Sequence, residues 1–291
     1  MSLELFIARR IARSGPGNRP GVMVRIAVIA VALSVTVMIL ALAVIMGFKR
    51  EITDRVTGFS SQVEVADLRS AGSIESVPVL RSEQLERAIR SAGEVVRLAP
   101  YAVKGGVVKT PDAILGVMLK GVDGGYDWSF FRDHLLEGEL PRVGDSIRTK
   151  EILISRSVAR EMGLVPGDKV EMLFVESEKS PRRDRFKVSG IYATGMDEFD
   201  RSVAMTDLRN VQRLADWSSD EVSGYEVTLA DFSQAEDFSR RLNDMLLDSD
   251  REAFWDLTAR SAQERFPTVF DWLKTHDVNA CLLYTSPSPR D

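Results

Sequence analysis

With a single cysteine, Cys281, this 291-residue chain closes no disulfide within itself, so its fold rests on packing and polar contacts alone. Histidine is almost as scarce. His134 and His276 are the two present, and neither an H-E-x-x-H nor an H-x-H spacing occurs, so no zinc site is expected. Both are read as core or surface histidines. The chain also has no G-x-x-x-x-G-K-[ST] phosphate loop and no G-x-S-x-G or S-x-x-K nucleophile pattern after the apolar run described next. P-loop ATP hydrolysis and recognisable serine hydrolysis are therefore excluded, and the expectation is a protein that is not an enzyme and carries no metal or cofactor.

Long apolar runs are missing too, with one exception. Ile26 to Met46, IAVIAVALSVTVMILALAVIM, is uncharged over 21 residues. At ~1.5 Å per helical residue it spans about 31 Å, the thickness of a bilayer's hydrocarbon core. Arg9, Arg10, Arg13, Arg19 and Arg25 precede it, while Lys49, Arg50 and Arg55 follow, which favours a cytoplasmic N-terminus. Residues 1–48 hold five arginines against Glu4, net +4, so the chain's total of −5 leaves −9 for residues 49–291. The competing reading is a cleaved signal peptide with an Ala41-Leu42-Ala43 site. It is disfavoured by the 25-residue leader and by the apolar run continuing through Val44, Ile45 and Met46.

Around this anchor the expected organisation is a cytoplasmic leader over 1–25, a span over 26–46, a helical stalk over 47–61 and a core domain over 62–273. In the leader, Leu3, Phe6, Ile7 and Ile11 recur at helical spacing, an amphipathic cationic helix suited to the inner leaflet. The stalk has no helix breaker after Gly47, and Gly58 is its expected stop. Charged residues at 28% and apolar ones at 44% suit a packed domain rather than disorder.

Within that domain, strands are expected over 62–68, 106–109, 113–122, 151–155, 169–175, 186–191, 202–205, 225–230 and 253–257. Helices are expected over 81–92, 157–162, 207–215, 232–247 and 262–273. This is an α+β pattern, and no repeat period suggests a solenoid. Asp123-Gly124-Gly125 and Val165-Pro166-Gly167-Asp168 read as turns. Asp197, Glu198 and Asp200 read as solvated turn residues, with a calcium site as the alternative. Glu176–Arg185, ESEKSPRRDR, reads as an exposed hairpin tip, and its Lys179, Arg182, Arg183 and Arg185 form a basic patch on an acidic domain. Four charges without interleaved aromatics do not make a nucleic-acid face. Two readings stay open for the patch: a docking site for an acidic protein, or a solvated loop.

The last residues, Cys281–Asp291 (CLLYTSPSPRD), can be encoded without mismatch by a common transposase-type sequencing-adapter end. They are read as adapter-derived rather than native, the alternative being a Pro/Ser-rich disordered tail.

Several segments together resemble one family, the LolC/LolE-type permeases of lipoprotein-releasing ABC transporters within the wider MacB/FtsX-like superfamily. They are Phe6-Ile7-Ala8-Arg9-Arg10, Val44-Ile45-Met46-Gly47-Phe48-Lys49-Arg50-Glu51, Ile152-Leu153-Ile154-Ser155 with Met162-Gly163-Leu164-Val165-Pro166-Gly167-Asp168, Phe186-Lys187-Val188-Ser189-Gly190-Ile191, and Val222-Ser223-Gly224-Tyr225-Glu226-Val227. The resemblance implies one N-terminal transmembrane helix followed by a periplasmic MacB-like domain, made of a porter-like α/β part and a β-rich subdomain, in the bacterial inner membrane. It implies as partners a separate cytoplasmic ATPase, a second permease copy or paralogue, a lipoprotein substrate and a periplasmic lipoprotein carrier. By the same resemblance, Val37, Leu40, Val44, Ile45, Met46 and Phe48 become candidates for a lipid or lipoprotein groove. Ser180, Pro181, Arg182 and Arg183 become candidates for the carrier-docking hairpin, although ESEKSPRRDR is short for such a hook. The rivals are an FtsX- or MacB-like permease driving a cell-wall hydrolase or efflux partner, and a single-pass receptor. If the tail reading holds, sequencing the gene across codon 280 will show Cys281–Asp291 replaced by an apolar run of about 20 residues. A native stop codon after Asp291 is the opposing result.

Overall fold

The computed structural model describes residues 20–70, 76–110, 113–144, 147–176, 179–249 and 252–274. The leader expected over 1–19, His276 and the tail lie outside them. The chain divides into two compact units, residues 54–269 and the segments on either side of them.

Helix α1 runs unbroken from Pro20 to Ser60, 41 residues. Proline opens it, where a missing N–H costs nothing. Its apolar stretch has mean hydropathy 3.0 and is not buried, so α1 is long and apolar enough to cross a membrane. Gly58 does not stop it. A Cβ there would lie 2.3 Å from the Phe130 ring, so this glycine serves close packing, and the helix ends at Ser61 in the left-handed region with φ 64°.

The unit over 54–269 is built on a ten-stranded sheet among the described residues. Strand β1 (Val63–Asp67), the short β2 (Val79–Leu80), helix α2 (Glu83–Ser91) and the long β3 (Val95–Lys109) come first. The N-cap Ser82 accepts from Leu85 N at 3.1 Å, with Glu83 and Glu86 in the first turn of α2. Then follow β4 (Ile114–Val122), α3 (Ser129–Asp133), β5 (Leu135–Gly138), β6 (Glu151–Ser155), α4 (Arg156–Met162), β7 (Lys169–Glu176), β8 (Lys179–Tyr192), α5 (Asp197–Asp200), β9 (Val203–Asp207) and α6 (Leu208–Ala215). The chain closes through β10 (Glu221–Val222), β11 (Gly224–Leu229), α7 (Ala235–Leu247), α8 (Glu252–Trp255), β12 (Leu257–Ser261), α9 (Ala262–Arg265) and a helix over 267–274.

Two sub-architectures share β3. Its first half joins the antiparallel order β12-β1-β11-β3, and α2 and α7 connect these strands as two interleaved split β-α-β units. Its second half enters a ring in which β3 pairs β4, β4 pairs β9, β9 pairs β6, β6 pairs β8, β8 pairs β7 and β7 returns to β3. A six-stranded barrel is thus inserted between the second and third strands of the split layer. This is the α+β division into an α/β part and a β-rich part expected from the sequence.

Period-two alternation explains both parts. Val63 and Val65 of β1, and Tyr225, Val227 and Leu229 of β11, turn toward Leu85, Ile89, Phe238, Leu242 and Leu246 of the two helices. In the barrel, Ile152, Ile154 and Ala204 enter that same core, whereas their neighbours Leu153, Val203 and Met205 face a second cluster with Phe59, Phe131 and Tyr192. Strands β6 and β9 are therefore apolar on both faces. At the outer edge of the split layer, the Asn243 side chain accepts from Ala259 N at 2.7 Å and donates to Ala259 O at 2.9 Å. That amide occupies the backbone groups a further strand would use.

Two expectations at the C-terminal end are corrected. Residues 253–257 were expected as a strand, but Glu252–Trp255 is a helical turn and the strand is Leu257–Ser261. The helix expected over 262–273 is broken at Phe266 (φ −123°, ψ 56°), because Pro267 bars its predecessor from the helical region. The sequence reading also missed β5, α3 and the first half of β3. Strand pairing overrides weak local pattern there.

Gly224 tests the central register. A Cβ on it would lie 2.1 Å from the Val65 carbonyl oxygen, whereas one on Gly116 would touch nothing. Urea unfolding should find Gly224→Ala destabilised by about 2 kcal/mol or more, as overpacking against backbone does, with Gly116→Ala within ~0.5 kcal/mol of the parent.

Candidate functional site

Two places were singled out from the sequence, and the structure adds a third. The apolar positions on α1 come first. Val37, Leu40, Val44 and Met46 are each about three-fifths exposed, Phe48 is half exposed and Ile45 is half-buried. At 100° per residue Val37, Leu40, Val44 and Phe48 share one stripe, while Met46 projects about 180° away from Val37. Four of the six therefore form one face, with Ile45 at its margin and Met46 on the opposite side. Phe48 meets Trp272 edge-on, with centroids 5.6 Å apart.

The hairpin is the second place. Strand pairing between β7 and β8 runs from Lys169↔Lys187 up to Glu176↔Lys179, so the polar excursion expected over 176–185 is mostly strand. Pro181, Arg182 and Arg183 lie within β8, not at its tip. The backbone of Ser180 is in the same strand, and its side chain lies outside the described set. Arg182 bonds Asp216 Oδ2 at 2.5 Å and donates to Arg213 O at 3.1 Å. Arg183 and Arg185 share Glu171, at 3.7 and 3.4 Å. Between them Asp184 is buried and bonded to Lys150 and Arg213. Burial pushes its carboxyl up, but Lys150, the Arg185 backbone N–H and Arg213 outweigh this and hold it below the usual aspartate range. Alternating positions thus send Asp184 inward to root the hairpin on α6, with Arg182 on the same side, and Arg183 and Arg185 outward.

The third place is where α1 ends. Its last turn contains no basic residue, yet its free carbonyls meet two cations from elsewhere. Lys120 Nζ, on β4, lies 3.5 Å from Phe59 O and donates to Glu226 at 2.6 Å, both side chains being buried. Arg265 donates to Ser60 O at 2.7 Å and pairs with Glu64 at 3.2 Å. Glu64 also bonds Arg260 at 3.2 Å and accepts from the Tyr101 hydroxyl at 2.6 Å. Glu64 and Glu226 stand directly opposite each other on β1 and β11, on the sheet face turned away from α2 and α7. A turn earlier Arg55 donates to Thr194 O at 2.8 Å. The signal in the sequence was a glutamate set among apolar neighbours, Val63-Glu64-Val65 and Tyr225-Glu226-Val227. Glu226 meets Lys120 from 106 residues away, and Arg265 lies 205 residues from the Ser60 carbonyl it caps, so neither partner could be read from the chain.

Beside this joint, a cleft of about 200 Å³ is lined by Asp54, Arg97, Tyr126, Asp127, Phe130 and Glu226, among others. Arg97 pairs with Asp127 across it. Burial raises the Tyr126 hydroxyl well above its ordinary value, so that group stays protonated.

Asp200 is not the solvated turn residue expected. It is buried and accepts from Thr194 N at 3.1 Å, Thr194 Oγ1 at 2.9 Å and Gly195 N at 3.1 Å, stapling the 194–200 loop. Asp197 and Glu198 open the one-turn α5 with it. Among the described residues no group of three or more His, Cys, Asp or Glu is placed to hold a metal ion. His134 Nδ1–H donates to Phe130 O at 2.8 Å, and the imidazole stacks on the Phe130 ring.

One helix long and apolar enough to cross a membrane runs without a break into a folded, strand-rich unit. The chain belongs to the MacB-like periplasmic core domain family, whose pattern matches residues 26–245. It is similar to the lipoprotein-releasing system transmembrane protein LolC of Xylella fastidiosa, with 29% identity over 238 residues, 77% of this chain and 54% of that protein. It is also similar to LolE of Haemophilus influenzae, 22% identical over 247 residues, 79% of this chain and 56% of that one. The chain spans about half the length of these relatives. Against the crystal structure of the periplasmic region of MacB from Actinobacillus actinomycetemcomitans the TM-score is 0.48 at 13% identity, over 74% of this chain and 96% of that one.

The joint makes a pH prediction. Burial pushes the Glu64 carboxyl up, and Arg265, the Tyr101 hydrogen bond, Arg260 and Lys120 together more than reverse it, so its folded pKa lies below the ordinary glutamate value of ~4.3. A depressed carboxylate contributes stability that is complete above the unfolded pKa and is lost as pH falls through the folded one. Thermal melts should therefore show acid destabilisation beginning near pH ~4.3 and steepening below it. Glu64→Gln should be less stable at pH 7 and show a shallower acid limb.

Proposed function

We propose that this chain is the N-terminal part of a permease subunit of an ABC transporter that extracts lipoproteins from the inner membrane and passes them to a periplasmic carrier. A separate cytoplasmic ATPase supplies the energy, and a second permease copy or paralogue completes the channel. The observation that carries this reading is α1 itself: 41 helical residues, about 60 Å long, with no internal proline and with the last turn fixed in the folded unit. A bilayer uses about 20 residues, so the remainder carries motion beyond it as a stiff element. The names of the relatives support lipoprotein as the cargo, and their length supports further spans after residue 274.

In this reading the N-terminus is cytoplasmic and the folded unit periplasmic. The stripe of Val37, Leu40, Val44 and Phe48 offers apolar surface to acyl chains, each buried methylene contributing ~0.8 kcal/mol. The β7–β8 hairpin, with Ser180, Pro181, Arg182 and Arg183, offers a rigid projection to the carrier. Its arginines are held by Asp216 and Glu171, which fixes their positions for recognition at the expense of free charge. No step of this work breaks a covalent bond within the chain's own domain, so no catalytic residue is assigned.

Two measurements test the reading. A photo-crosslinker at Val44 should capture an acylated lipoprotein, and one at Met46, on the other face of the helix, should capture about tenfold less. Carrier binding to the folded unit should weaken when Arg182 and Arg183 are both replaced by glutamate, with a smaller salt dependence and an unchanged fold. Equal crosslinking at both positions together with unaltered carrier affinity would favour a permease with a different cargo.

A further inference from the structure

Lys120 and Arg265 occupy the place where a helix end ordinarily meets water. The Phe59 and Ser60 carbonyls carry the negative end of the α1 dipole, and each is met by a cation from a different part of the folded unit: Lys120 from the barrel strand β4, Arg265 from α9. Each cation is in turn held by a carboxylate on a neighbouring strand, Glu226 on β11 and Glu64 on β1. The two carboxylates are register partners, and like charges directly opposite repel. Their pairing is tolerable because the cations sit against them, and the cations are in place because the carboxylates hold them. Gly58 completes the seat by leaving room for the Phe130 ring against the same turn.

We propose that Lys120 and Arg265 are the positioning residues that fasten α1 to the folded unit, so that a displacement of the helix enters the split layer through Glu64 and Glu226 and the barrel through β4. The second clause rests on the transporter reading above; the first does not. The ionic contacts are directional, and they stand beside the apolar packing of Phe59 on Phe131 and Phe199. Splitting the fastening between two cations sends motion into both sub-architectures at once.

The test uses the full chain purified in detergent. Lys120→Met combined with Glu226→Gln removes the pair without leaving an orphaned buried charge, and Arg265→Gln removes the second donor independently. Hydrogen exchange is followed at the amides of residues 56–60 and at those of β1 and β11. Exchange at 56–60 should rise about tenfold in either variant while β1 and β11 keep their protection, and Arg265→Lys should restore most of it. Unchanged exchange at 56–60, or an equal rise throughout the sheet, would overturn the assignment and leave the network a general stabiliser. In the assembled transporter the same variants should hydrolyse ATP within about twofold of the parent while releasing cargo at least about tenfold more slowly. Normal release with a loosened helix end would overturn transmission alone. A parent that releases no lipoprotein would overturn the functional reading and leave the exchange result standing.

Discussion

Two glutamates facing each other across adjacent strands set the terms for the rest of this molecule. Left alone, Glu64 and Glu226 would repel across β1 and β11. Instead the face they share is roofed by Lys120, Arg260 and Arg265, and by the carbonyl end of a helix that itself needs cations. Removing one partner of such a buried pair costs about 3–5 kcal/mol, because the other is left charged and dry. That asymmetry makes the network a better specifier of position than a source of net stability. It admits one placement of the helix end on the sheet.

The remainder of the fold is arranged so that this placement is possible. The split layer gives its apolar face to α2 and α7 and keeps the opposite face for charge, a division that follows from strict alternation along β1 and β11. The barrel, inserted through β3, brings β4 and hence Lys120 across that second face. Its two-sided strands β6 and β9 feed both the barrel core and the aromatic cluster of Phe59, Phe131 and Tyr192 beside the helix end. Asp184 does for the hairpin what Glu64 does for the helix end: a carboxylate between two basic groups ties the element to its base.

Much of this architecture was legible in the residues. The span stood out because no other run lacks charge for so long, and the α+β composition followed from alternating runs broken by helical periodicity. Segments with strong local signals, such as Glu151–Ser155 followed by its capped helix, were placed to within a residue. Failures came where a local pattern was weak and a partner strand decided the outcome, as for the first half of β3, or where a proline acted at a boundary, as at Phe266. The hairpin was misjudged for a related reason. A run of charges resembles a loop in sequence, but on a barrel wall alternate charged residues can point outward while the strand continues.

By itself, then, the sequence determined that a membrane-length helix precedes a disulfide-free packed unit, because hydrophobic run length and cysteine count depend on no tertiary partner. It also placed Glu64 and Glu226 within expected strands, 62–68 and 225–230. What it could not determine is what they meet. Lys120 and Arg265 look like ordinary surface cations in their own segments, and the last turn of α1 carries no basic residue to announce how it is capped. Only folding brings residues 106 and 205 positions apart within hydrogen-bonding reach. The reason is physical: a helix end and a buried carboxylate each constrain the charge of a neighbour, not its place in the chain.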